Sequence, residues 1–354
     1  MSKRKGEKAM NWEAYTQFIL EETLALLAID SPSGMTQRAA EHVMARFAAL
    51  GYAPQRTRKD GVLVCLGGAD MENAVLLEAH MDTLGGMVAQ IKGNGRLRIE
   101  RVGGLRAENV ETENCRVYAR GGAVLEGTAQ LCNASVHVNG KYGDAQRTFD
   151  TIEIVLDEDV SSADDTKKLG VRNGDYVCFD PRAHVTGSGY IKCRFLDDKL
   201  SVGILLGYAK VLRDEGITPA RGVWVHVTSF EEVGHGGSAS VPQGVTEAIS
   251  VDMGCVGEGL ECTERMVSIC AKDSGGPYSR DVVDGLVAAA ERMGAPYAID
   301  LYPHYGSDVE ATLKAGYDIR HGLIGSGVYA SHGYERSHRE GVLATLKVLV
   351  GYLG

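Results

Sequence analysis

The sequence predicts an α/β fold interrupted by a mostly-β insert. Three observations carry that expectation. RGVWVHVTSF is a nearly continuous apolar run, as in strands buried on both faces of a parallel sheet. Strand-like runs of this kind alternate with helix-like segments in both outer parts of the chain. Between about residues 88 and 188 the texture changes to short β-type runs separated by glycines and polar turns.

Taken in order, residues 11–50 read as two helices, NWEAYTQFILEETLALLAI and MTQRAAEHVMARFAALG, broken at DSPSG and closed by Gly51 as a C-cap. GVLVCLGG and NAVLLEAH follow as strands. LRIERVGG, CRVYARGG, ASVHVNGKYG, DTIEIVLDED and GDYVCFDP supply the β runs of the insert, with one helical piece at SSADDTKKLG. Alternation then resumes with helix DKLSVGILLGYAKVLRDEG, strands RGVWVHVTSF and AISVDMG, and helix SRDVVDGLVAAAERMG. The strand region IRHGLIGSG and the helix REGVLATLKVLVGYL complete the reading. The chain is thus expected to divide into residues 1–87, an insert over 88–188, and 189–354, with the outer two parts forming one domain.

Composition bounds the function. A chain of 354 residues with 44% hydrophobic and 24% charged residues can bury a sizeable core. A formal charge of −10 argues against a nucleic-acid partner, which would need clustered Lys and Arg. No run of about 18 apolar residues exists, so no membrane span is expected. The basic opening MSKRKGEKAMNWEAYTQF has charged and aromatic residues where a signal peptide needs an apolar region. Eight scattered cysteines without a C-x-x-C pair then read as reduced thiols of a cytoplasmic protein.

The chemistry lies where apolar runs stop. VLLEAHMDTLGG delivers His80 and Asp82, at i and i+2, to one side of a strand end. RGVWVHVTSFEEVGHGG ends in Glu231 and Glu232, which would repel unless a cation or a shared proton intervenes. Adjacent residues on a strand end face opposite ways, so these two carboxylates are expected to take different tasks. AISVDMG stops at Asp252, RFLDDKLSVG places Asp197 and Asp198 before a helix, and YASHGYERSH puts His332 in a loop. Singly, each has an ordinary explanation: a solvated turn, a helix cap or a surface histidine. Together they occupy the ends of separate α/β elements, where open parallel sheets bind ligands. Histidine and carboxylate donors suit zinc, cobalt or manganese.

EAHMDTLGGMV, LDDKLSVGILL, EEVGHGG, SVDMG and YASHGYE, in this order, resemble the M42 family of metallo-aminopeptidases, the glutamyl and tetrahedral aminopeptidase group. RIERVGG and SSADDTKKLGVRNGDYVCFDP are similar to the β-rich domain that the family inserts after its first ligand. The resemblance implies a mixed-sheet α/β/α domain with a PDZ-like insert. It also implies a metal-dependent aminopeptidase acting on short peptides with a free N-terminus, using two divalent ions, zinc or cobalt first and manganese next. By the same resemblance His80, Asp197, Glu232, Asp252 and His332 would be metal ligands, with Asp197 bridging. Glu231 would be the general base, Asp82 would orient His80, and Asp198 would continue the turn after a cis peptide. Asp308, ending HYGSD, and His235 would support the site, with Tyr305 and His304 nearby. The insert would join subunits into a homo-oligomer, from dimer to dodecamer, without membrane or nucleic-acid partners.

Departures from the family pattern are Thr83 after HMD, Lys199 after DD, HGG after EEVG, and YASHGYER around the last ligand, where His338 competes with His332. Two alternatives stay open: a related di-zinc carboxypeptidase or deacylase, and an inactive peptide-binding assembly protein. The position of the insert, before the second site motif, argues against the first; the filled ligand positions argue against the second.

Overall fold

A computed structural model describes residues 10–354. Helices α1 (Trp12–Leu27) and α2 (Gln37–Ala49) precede strands β1 (Gln55–Arg56), β2 (Val62–Gly67) and β3 (Asp70–His80). The chain then builds β4 (Gly85–Ile91), β5 (Leu97–Val102), β6 (Asn114–Tyr118), β7 (Val124–Leu131) and β8 (Ile152–Leu156), helix α3 (Ala163–Lys168) and β9 (Tyr176–Phe179). After β10 (His184–Val185), β11 (Tyr190–Cys193) and helix α4 (Leu196–Asp214) come β12 (Arg221–Thr228), β13 (Val245–Val251), β14 (Gly254–Val256) and β15 (Val267–Lys272). Helix α5 (Arg280–Met293), β16 (Tyr297–Leu301), α6 (Asp308–Lys314), β17 (Arg320–Tyr329), β18 (Glu335–His338) and α7 (Arg339–Leu353) complete the chain.

A 12-stranded mixed sheet runs β1-β2-β12-β3-β13-β17-β18-β11-β10, with β14, β15 and β16 attached through β17. Its centre is parallel: β3 pairs with β12 on one side and β13 on the other. Those strands are apolar at nearly every position because both faces are covered, and Val75, Leu76, Leu77, Val223, Val225, Ile249 and Val251 are fully buried. Helix α4 is buried along most of its length and packs on α1. Gly207 permits that approach, since a Cβ there would lie 2.3 Å from Ile19 Cγ1.

The insert closes on itself as a six-stranded antiparallel barrel, in the order β4-β5-β8-β7-β6-β9. Its core is filled by alternate residues of each strand, among them Val88, Leu97, Ile99, Val117, Ala129, Ile154 and Val177. One expected strand is absent. ASVHVNGKYG is a series of turns, in which Val138 and Asn139 donate back to the Ser135 carbonyl. Its alternating valines find no partner strand, and Val136 and Val138 stay 62% and 77% exposed. Strand β7, by contrast, was not expected; its Thr128 and Gln130 mask the alternation.

Candidate functional site

Three parallel strands end side by side: β12 at Thr228, β3 at His80 and β13 just before Asp252. Thr228 is the register partner of His80, and the Met81 N–H donates to the Thr228 carbonyl. This common edge opens onto a cavity of about 620 Å³. Asp197, Glu231, Glu232, Asp252, Asp308 and His332 all line it.

His80 is the hub. Its Nε2 lies 3.1 Å from Asp197 Oδ1 and 3.7 Å from Glu231 Oε2. Donor atoms of His80, Asp197 and Glu232 lie within 4.8 Å of one another, and so do those of His80, Asp198 and Asp252. His332 Nε2 stands 3.5 Å from Asp197 Oδ2 and 3.6 Å from Glu232 Oε2. Asp197 therefore faces both imidazoles, one with each oxygen. Asp197 and Asp198 are joined by a cis peptide at the head of α4.

The competing histidine is elsewhere. His338 caps α7 through Nδ1, and its Nε2 lies 2.9 Å from the Ser188 carbonyl. His235 is exposed and stacks on Phe230, outside the cavity lining. Asp308 is buried, accepts the Thr228 hydroxyl at 2.6 Å, and borders the cavity at the start of α6. Tyr305 donates its hydroxyl to the Met253 carbonyl, and His304 also lines the cavity. His226 is a core residue whose Nδ1 has no hydrogen-bond partner and lies 3.6 Å from Glu78.

Two local geometries differ from the expectation. Glu231 and Glu232 do not sit on a strand end. Phe230 adopts a left-handed conformation that stops the strand, and Glu231–Val233 form a 3-10 turn. The turn, rather than strand alternation, separates the two carboxylates. Asp82 stabilises it: Oδ1 accepts the Glu231 N–H at 3.1 Å and Oδ2 accepts the Glu232 N–H at 3.3 Å. Ser33 adds its hydroxyl at 2.5 Å to Oδ2. The imidazole of His80 meets the carbonyl of Asp82 at 2.9 Å, whereas the carboxylate is 3.7 Å away. Asp198 likewise does more than continue a turn, since its Oδ2 accepts the His80 N–H at 3.2 Å.

Glu335 was not singled out in the sequence. It is buried, and one carboxylate holds two candidate ligands by their backbones. Oε2 accepts the Asp197 N–H and Oε1 the His332 N–H, each at 3.1 Å. The available signal was a carboxylate three residues after His332, inside the largely buried stretch ERSH.

Electrostatically the site is crowded with acids. Burial pushes Glu231, Glu232 and Asp198 well above the ordinary carboxylate range, and Asp252 up to about 7. Burial also pushes Asp197 up, but hydrogen bonds with His332 and His80 outweigh it and hold this carboxyl low. His80 is lowered by burial and raised by more through Asp197, Glu231 and Asp198. Asp198 Oδ1 and Glu232 Oε1 are buried without any hydrogen-bond donor among the described residues. Orphan carboxylate oxygens beside imidazoles are what oxygen- and nitrogen-seeking divalent cations complete. The residues present fit such ions.

Comparison with known proteins points the same way. Residues 60–348 match the family described as Peptidase_M42, M42 glutamyl aminopeptidase. The chain is 40% identical over 328 residues to the protein of Bacillus subtilis (strain 168) named "Putative aminopeptidase YhfE", covering 93% of this chain and 95% of that one. Its fold is similar to aminopeptidase APDkam598 from the archaeon Desulfurococcus kamchatkensis, with a TM-score of 0.83 at 20% identity over 97% of this chain and 95% of that one. It is also similar to the TET1 peptidase of Pyrococcus horikoshii, which can assemble into a tetrahedron or a large octahedral shell. There the TM-score is 0.82 at 21% identity, over 94% of this chain and 98% of that chain.

Proposed function

Because the chain belongs to the M42 glutamyl aminopeptidase family, we propose that it is a two-metal aminopeptidase that removes N-terminal residues from short peptides. One observation carries this reading. Where the central strands end, Asp197 faces the imidazoles of His80 and His332 with one oxygen each, and the carboxylates of Glu232 and Asp252 stand beside these same donors.

In this reading His80, Asp197, Glu232, Asp252 and His332 hold two divalent cations, zinc or cobalt before manganese, with Asp197 between the two imidazoles. Such ions supply Lewis acidity for a carbonyl and lower the pKa of water. Glu231 takes a proton from the attacking water and returns it to the departing amine. Its place in the Asp82-held turn fixes the carboxylate toward the cavity while the next residue turns toward His332. Glu335 keeps Asp197 and His332 in register by their backbones. Residues 88–188 serve as the contact between subunits of a homo-oligomer, at least a dimer and, by likeness to the TET1 peptidase, of which a dodecamer is known, up to a dodecamer.

Hydrolysis of free dipeptides and aminoacyl-arylamides by chelator-treated and metal-restored protein tests this reading. Activity should vanish on chelation and return with zinc or cobalt. N-acetylated peptides should resist; cleavage of acetylated and free peptides at equal rates would exclude an aminopeptidase.

A further inference from the structure

The cavity that holds the acids also carries arginines that nothing in the proposed chemistry uses. Arg101, at the end of β5, and Arg106, four residues beyond β5, both come from the barrel, and both line this cavity while remaining exposed. Neither forms an ion pair with a described carboxylate, although the chain bears a formal charge of −10. Lys314, another cation of the lining, is already paired with Glu310 at 3.1 Å. The two guanidiniums are therefore the cationic groups of this lining left without an acid.

Their placement is firm. Leu105 and Ala107, on either side of Arg106, are 2% and 3% exposed and anchor the segment in the core. Asn109 donates to the His332 carbonyl at 2.8 Å, and the Asn109 carbonyl accepts from Arg194 Nη2 at 2.7 Å. Gly104 lies so close to the His332 ring that a Cβ there would be 2.6 Å from Nδ1. The arginine-bearing segment is thus locked against one candidate ligand, and both of its arginines line the cavity.

We propose that Arg101 and Arg106 form a carboxylate-binding mouth for the C-terminal carboxylate of di- and tripeptides. The inference rests on the aminopeptidase reading above and adds a preference for short peptides with a free C-terminus. A planar guanidinium offers two parallel N–H donors to a carboxylate, which an amide or an ester cannot match in charge. A cavity of about 620 Å³ is of small-ligand size. Lined by carboxylates and by two unpaired guanidiniums, it complements a short zwitterion rather than the middle of a long chain. Long peptides could still enter, but they would place a neutral amide where the arginines stand. The same fork would also receive the side-chain carboxylate of an acidic residue, so the two sources must be separated.

The test compares kcat/KM for Ala-Ala, its C-terminal amide, and Ala-Asp amide, in the wild type and in Arg101→Gln, Arg106→Gln and the double variant. The wild type should prefer Ala-Ala over its amide by roughly five- to fiftyfold, the range of partly exposed hydrogen bonds to charged groups. That ratio should collapse toward one in the double variant, and Arg106→Lys should keep only part of it. An unchanged ratio in the double variant overturns the proposal. Preference for Ala-Asp amide over Ala-Ala, lost in the double variant, overturns the C-terminal source and assigns the mouth to acidic side chains. If no peptide is cleaved, calorimetric binding of Ala-Ala and its amide to the metal-loaded protein reads the mouth independently of hydrolysis. Equal affinities would then overturn it.

Discussion

Glu153 in the barrel and Glu232 at the sheet's edge are both buried carboxylates, and their surroundings treat them in opposite ways. Glu153 is 2% exposed, yet Lys92 and Arg96 each reach one of its oxygens at 2.5 Å. Burial pushes its carboxyl up, but those hydrogen bonds outweigh it and hold the group below the ordinary range. Glu113, at 5% exposed, is likewise met by Arg182 at 2.8 Å and by Arg194. Among the described residues Glu232 has no Lys or Arg partner, only the imidazoles of His332 and, further off, His80; its Oε1 has no donor, and burial pushes it well up. Equal burial with opposite outcomes separates structural charge from functional charge. The buried carboxylates of the barrel are each met by cations. The sheet edge leaves a charge deficit that bound cations would fill, and leaving buried carboxylates unpaired is costly enough that folding alone would not retain them.

The contrast can be broken by experiment, starting with the largest effect. Glu231→Gln preserves size and hydrogen bonding but cannot accept a proton. Turnover should fall by ~10²–10⁴-fold while metal content stays near that of the wild type. Should Glu232→Gln instead spare the metal and abolish turnover, the roles of the two glutamates are exchanged. Asp197→Ala should then strip most of both ions, because one carboxylate faces both imidazoles. Elemental analysis of the purified variant checks this, and full occupancy would remove Asp197 from the bridging position.

A pH series sharpens the comparison with a buried acid of a third kind. Glu78 is fully buried in β3; its hydrogen-bond donor is Thr312, and the imidazole of His226, 3.6 Å away, is kept neutral by burial, which lowers it to about 4. Burial pushes its carboxyl from 4.5 up to about 8, against smaller opposing effects of Thr312 and the more distant Lys59. The stability of this neutral group is fully present below about pH 4.5 and is lost as pH rises toward 8. Glu78→Gln has no such loss. Relative to the wild type it should gain on the order of a few kcal/mol between pH 5 and 8. Parallel thermal melting curves for the two proteins across that interval would contradict the neutral assignment. The smallest effect belongs to the barrel. Glu153→Gln should cost about 1–3 kcal/mol in stability and leave metal content unchanged, measured by melting and elemental analysis together. Loss of metal there would erase the distinction between the two regions.

Much of this molecule was legible from one dimension. Apolar runs announce the central strands because parallel strands covered on both faces tolerate little else, and the polar residues that stop them mark the edge where His80, Asp252 and the Glu231–Glu232 pair meet. Six of the seven helices followed from the sequence pattern, the short α6 being the exception, and the change of texture near residue 88 announced a separate β unit. ASVHVNGKYG shows the limit of that signal, because alternation indicates a strand only where a neighbouring strand accepts it.

Contacts between distant residues were decided by the tertiary structure alone. Nothing local to Asp82 says that its carboxylate will gather the N–H groups of a turn 149 and 150 residues away. Nothing local to Glu335 says that it will hold Asp197, 138 residues earlier, together with His332. The choice between His332 and His338 turned on which of them faces Asp197 and which caps a helix. Arg101 and Arg106 read as ordinary surface charges of the insert until its closure brought them to the cavity. Periodicity and composition report whether a residue is buried, because burial is set by the nearest few neighbours in the chain. Which partner a buried or cavity-facing polar group meets depends on how whole elements dock, and that information is spread over the entire sequence.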